Sequence, residues 1–151
     1  MNTNAPKTIG RITIACFALL ALALPSQTRA QFTGNNQTNI ISGVTSNWNG
    51  IYFVGSNYVF DTLLIQNSGV LSNSIGVIGH NVGANSNAAI VSGSGSIWST
   101  TNNLFSLFIG YSGAANSLVI SNGGSVISAS SSVLGGYHSN SVWVPATTPR
   151  L

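Results

Sequence analysis

The chain has 151 residues, room for one ordinary domain, yet only 3% of them are charged, against about a quarter in an average soluble domain. The net charge of +3 comes from Lys7, Arg11, Arg29 and Arg150, with Asp61 as the single acid. Nothing basic falls between Arg29 and Arg150, so the chain offers phosphate no electrostatic footprint and nucleic acid is excluded as a partner.

The first element is an export signal over residues 1–30. Lys7 and Arg11 form a positive start, Ile12 to Leu24 is a mostly apolar helix-forming run, and Pro25 breaks it. Thr28-Arg29-Ala30 then offers a small-x-Ala cleavage site. Crossing a membrane takes about 20 apolar residues, so the run is too short for a stable span, and cleavage after Ala30 is expected. Cys16 sits inside the apolar run rather than after it, which argues against a lipidated cysteine.

Cleavage removes the only Cys and the only Met and leaves Arg150 and Asp61 as the only charges. Disulfides and thiol chemistry are then unavailable. From Gln31 on, Ser, Asn, Gly and Thr make up 62 of 121 residues. Disordered chains are poor in β-branched and aromatic residues and highly charged, whereas here Val, Ile, Leu, Phe, Tyr and Trp recur at intervals. Short strands separated by turns are predicted: Leu63–Ile65, Ala89–Val91, Leu107–Ile109, Leu118–Ile120 and Val142–Val144.

Those strands belong to repeats. At an offset of 55, Val54-Gly55 matches Ile109-Gly110, and DTLLIQNSG from Asp61 matches NSLVISNGG from Asn116. Asn87 to Val91 matches Asn140 to Val144, and Ile41-Ser42-Gly43 with Trp48 matches Val91-Ser92-Gly93 with Trp98 at an offset of 50. A [VIL]-Gly step ends each strand-rich stretch, at Gly55, Gly79, Gly110 and Gly135, spaced 24, 31 and 25 residues apart. The predicted fold is therefore all-β, a right-handed parallel β-helix of four to five coils over 31–144, built as two copies of a unit of about 55 residues. A single coil cannot bury its apolar face, but stacked coils share one core. Asn-Ser-Gly, Ser-Gly-Ser-Gly and Asn-Gly-Gly supply the left-handed corner conformations, and stacked Asn and Ser can bond in ladders along the axis. An antiparallel sandwich is the alternative, disfavoured by the repeat register and by the lack of two-residue hairpin signals.

The segments SGSGSIW (Ser92 to Trp98), LFIGYSGAANSLVISNGGSV (Leu107 to Val126) and VLGGYHSNSVWV (Val133 to Val144) resemble the repeat of type V secretion (autotransporter) passengers and PEP-CTERM proteins. The likeness spans Thr38 to Val144. It implies a β-helix exposed at the surface of, or secreted by, a Gram-negative bacterium, with a structural or adhesive role and a surface glycan or protein as ligand. The chain departs from that pattern at residues 145–151, a divergent tail where a further repeat would begin. The departure is read as a truncated or frameshifted gene, or a fragment of a longer passenger.

Enzymatic β-helices, polysaccharide lyases and hydrolases, need paired carboxylates or a base. Asp61 stands alone, and its repeat partner is Asn116, so it is read as structural. His80 and His138 are not at matching repeat positions and are read as loop residues. The residues specify no catalytic site, no metal and no cofactor. Trp48, Trp98, Tyr111 and Tyr137 are the candidate glycan contacts, with packing the favoured role for the recurring Trp48 and Trp98. Trp143 falls within a strand. An open solenoid end with no polar cap after Val144 predicts end-to-end self-association.

Overall fold

The computed structural model describes residues 31–135 and 139–145. The expected signal at 1–30, Tyr137 and His138 lie outside the described residues. What is described is a parallel β-solenoid without a helix. The first coil comprises β1 (Thr38–Ser42), β2 (Thr45–Asn47) and β3 (Ile51–Val54). The second comprises β4 (Thr62–Gln66), β5 (Val70–Asn73) and β6 (Ile75–Ile78). The third comprises β7 (Ala88–Ser92), β8 (Ile97–Thr100) and β9 (Phe105–Ile109). The fourth comprises β10 (Ser117–Ser121), β11 (Ser125–Ser128) and β12 (Ser131–Leu134), and β13 (Ser141–Trp143) begins a fifth.

Equivalent strands stack into three sheets, β1-β4-β7-β10-β13, β2-β5-β8-β11 and β3-β6-β9-β12. Every pairing is parallel, which rules out the antiparallel sandwich. The 55-residue unit of the sequence is two coils long. Val54 and Ile109 end β3 and β9, and Leu63 and Leu118 lie in β4 and β10.

Alternation within each strand builds the core. In β4, Leu63 and Ile65 are buried while Thr62, Leu64 and Gln66 face outward. Stacking turns single positions into columns: Ile41–Ile65–Val91–Ile120 in the first sheet, and Val54–Ile78–Ile109–Leu134 in the third. Large and small residues compensate each other across the interior. Trp98 is fully buried, and Gly76 makes room for it, because a Cβ there would meet Trp98 Cζ2 at 2.5 Å.

Asparagine closes the turn between the third sheet and the first. Asp61, Asn87, Asn116 and Asn140 stand one per coil just before β4, β7, β10 and β13. The backbone N–H of Asp61 donates to Asn87 Oδ1, that of Asn87 to Asn116 Oδ1, and that of Asn116 to Asn140 Oδ1, each at 2.9 Å. Asn87 Nδ2 donates to Asn116 Oδ1 at 3.1 Å, and Asn116 Nδ2 to Asn140 Oδ1 at 3.3 Å. Asp61, Asn87 and Asn116 are fully buried. For Asn87 and Asn116 such depth is tolerable because the ladder engages their amides.

The glycines of the [VIL]-Gly steps are the complement of that ladder. Gly55, Gly79 and Gly110 have φ of 70°, 69° and 70°, a left-handed conformation costly for residues with a Cβ. A Cβ at Gly79 would also overlap the Asn116 amide, and one at Gly55 the Asn87 amide. By contrast, Gly83 has φ 87° but open space around it. Gly79→Ala is expected to cost about 3 kcal/mol, from backbone strain plus a displaced buried amide. Gly83→Ala should cost about 1 kcal/mol, from strain alone. Urea unfolding of the two variants checks the difference.

Candidate functional site

The third sheet presents an apolar outer face. Its outward column runs Phe53–Val77–Phe108–Val133. At the corner beyond it, Gly55, Gly79 and Gly110 stack through Gly79 N–H to Val54 O and Gly110 N–H to Ile78 O. Stacking of the glycines brings the residues that follow Gly79 and Gly110, His80 and Tyr111, into the same register. Their rings lie 5.4 Å apart and 25° from parallel. Phe53 also meets His80, with ring centroids 4.9 Å apart and planes tilted by 58°. Phe108 meets Tyr111 edge-on at 5.3 Å, and Phe105 lies 5.9 Å from Phe108. One aromatic row thus spans three coils. It shields Val77 to 4% exposure and leaves Tyr111 60% and Phe105 51% exposed.

His80 lies in the loop after β6, as the sequence predicts, but it is neither isolated nor exposed: it is half-buried between aromatic neighbours. The segment between Gly79 and Gly110 is the longest of the glycine intervals, so matching across two coils hid the one-coil pairing of His80 with Tyr111. His80 Nδ1 is buried without a hydrogen-bond partner among the described residues.

The tryptophans Trp48 and Trp98 pack as expected, but they do not occupy equivalent repeat positions. Trp98 stacks on Leu71 and Val126 in the second sheet, with Ser46 rather than Trp48 at the equivalent position of the first coil. Trp98 has no exposed surface, and its Nε1 donates to Asn73 Oδ1 at 2.7 Å. It therefore cannot stack on a glycan. Trp48 lies beyond β2 at the next corner, half-buried. Its Nε1 donates to Ile51 O at 3.1 Å, and its ring meets Tyr52 edge-on at 5.7 Å. The corner mismatch shifted the two tryptophans by two residues relative to each other. Trp143, at the end of β13, is 57% exposed.

Asp61 is where the ladder needs an asparagine. Its Oδ1 accepts the N–H of Gln37 at 2.9 Å, and its Oδ2 has no partner among the described residues. Burial raises its pKa above the ordinary 3.8, and the Gln37 N–H offsets that in part. The described residues contain no group of three or more His, Cys, Asp or Glu placed to hold a metal ion.

No family model, no curated protein and no solved structure matches the chain.

Because the folded-state pKa of Asp61 is raised, the folded chain holds that proton more tightly than the unfolded chain. Stability from this group is greatest below pH 3.8 and falls as pH climbs to the raised folded value. Asp61→Asn is expected to remove that fall. At pH 7 it should add about 1 kcal/mol, since the new amide gains the hydrogen bond that Asn87 and Asn116 make. Urea unfolding of both proteins from pH 3 to pH 7 checks it.

Proposed function

We propose that the chain is a non-enzymatic, exported β-solenoid segment with a structural and adhesive role in a surface-exposed or secreted protein of a Gram-negative bacterium. The observation that carries this is the aromatic row Phe53–His80–Tyr111–Phe108, held on a rigid parallel sheet with Tyr111 open to solvent. Exposed aromatic rings provide large contact area at low entropic cost, and contiguous exposed apolar patches mark interaction sites. The non-catalytic part is supported by the position of Asp61, fully buried and bonded into the corner ladder. A lone carboxylate with no surface cannot reach a polymer substrate. Export rests on the n-region, apolar run and cleavage pattern of residues 1–30. The passenger-like role rests on the repeat resemblance.

End-to-end association with a second copy belongs to the same proposal. Leu134 and Val142 occupy interior columns, yet they are 50% and 44% exposed. β11, β12 and β13 have no following strand among the described residues, and unpaired strand edges template further pairing.

The purified exported chain is expected to bind an array of immobilised glycans and extracellular proteins without cleaving pectin- or alginate-type polymers. Tyr111→Ser should weaken that binding at least tenfold with the fold retained. Polymer cleavage that Asp61→Asn abolishes would contradict the proposal, as would binding indifferent to Tyr111→Ser. Light scattering should report a mass above that of one chain, and Leu134→Ser with Val142→Ser should lower it. A monodisperse wild-type monomer would refute the end-to-end contact.

A further inference from the structure

The corners between the second and third sheets differ in length from coil to coil, and the difference cuts a notch. In the first coil the corner runs over residues 48–50 and in the third over 101–104, but in the second Ser74 alone separates β5 from β6. The short corner is recessed between two longer ones. The resulting groove has a volume of about 310 Å³ and is lined by Asn47, Trp48, Asn49, Ser72, Asn73 and Thr101 among others.

Its walls are tied together by backbone. Trp48 N–H donates to Ser72 O at 2.8 Å, Ser74 N–H to Gly50 O at 2.9 Å, and Thr101 N–H to Asn73 O at 3.0 Å. Trp48 is fixed from behind by Ile51 O and Tyr52, so the wall that carries it is preformed. Asn73 is only 3% exposed; its Oδ1 is taken by Trp98 Nε1, and its Nδ2 lacks a partner among the described residues. No lining residue is ionisable.

We infer that this notch is a binding subsite for one ring of a neutral sugar, with Trp48 as the stacking wall and the surrounding amides and hydroxyls as hydrogen-bond partners. Ligand sites begin at about this volume and combine apolar walls with a few placed polar groups. A pyranose is amphipathic in the same way, with C–H faces for an indole and hydroxyls for amides. The absence of any charge in the lining selects against uronic and phosphorylated sugars, which would forfeit their hydration without a countercharge. The subsite gives the proposed adhesive role a ligand class and rests on that role only for its biological use.

The test is binding of neutral oligosaccharides of glucose, galactose, mannose and N-acetylglucosamine to the full chain, read by saturation-transfer NMR and calorimetry. At least one series should bind, and its uronic-acid counterpart at least tenfold more weakly. Trp48→Ala should weaken binding at least tenfold. Because Trp48 also packs on Tyr52, Ser74→Phe provides a second variant that fills the notch and leaves the tryptophan in place, with the same loss expected. Binding of no neutral sugar, or binding that survives Ser74→Phe, would overturn the subsite. Adhesion that persists through Tyr111 while the notch binds nothing would remove the subsite and leave the adhesive role standing.

Discussion

One side-chain amide per coil, turned inward and bonded to the backbone of the coil before it, is the contact on which the rest of the molecule depends. Where the third strand of a coil gives way to the first strand of the next, the backbone needs a hydrogen-bond partner inside the protein. Asn87, Asn116 and Asn140 supply it through Oδ1. That places an amide in a space free only if the preceding residue column lacks a Cβ, hence Gly55, Gly79 and Gly110. Ladder and glycines together set the register in which the interior columns of Leu, Ile and Val meet. The aromatic row and the notch are consequences, since both are assembled from residues on successive coils.

The same geometry accounts for the near absence of charge. Strands in a parallel sheet lie about 4.8 Å apart, so each side chain has equivalents directly above and below it. Repeated units would stack like charges in columns, where they repel. Ser, Thr and Asn stack without that penalty and can bond along the axis. Asn122 Nδ2 donates to Ser92 Oγ at 3.0 Å, and Asn67 Nδ2 to Ser42 Oγ at 2.9 Å. Asp61 is the exception, and its single bonded oxygen shows what the ladder loses when an amide is replaced by a carboxylate.

The coil architecture was legible because glycine and asparagine recur for backbone reasons that override side-chain variation. The [VIL]-Gly steps mark the ends of β3, β6, β9 and β12, and the Asn-Ser-Gly and Asn-Gly-Gly corners carry positive φ at Asn67, Ser68, Asn122 and Gly123. Sites at the corners were less legible. Corner lengths vary independently of strand register, so Trp48 and Trp98, 50 residues apart, look equivalent and are not. The pairing of His80 with Tyr111 was hidden similarly, because one-coil neighbours match less closely here than two-coil neighbours. The notch at Ser74 has no motif. It arises from one corner being shorter than those beside it, which becomes visible only once the coils are stacked.

Native-state hydrogen exchange of the ladder amides tests the central claim most directly. The backbone N–H groups of Asp61, Asn87 and Asn116 lie in turns, where amides ordinarily exchange through local fluctuation. Bonded to side chains of the next coil, fully buried at Asn87 and Asn116 and half-buried at Asn140, they should exchange as slowly as the amides of Ile65 and Val91 in the core strands, with the free energy of global unfolding. Exchange at the rate of exposed corner amides such as Ser94 would contradict the ladder as the contact that holds the coils together.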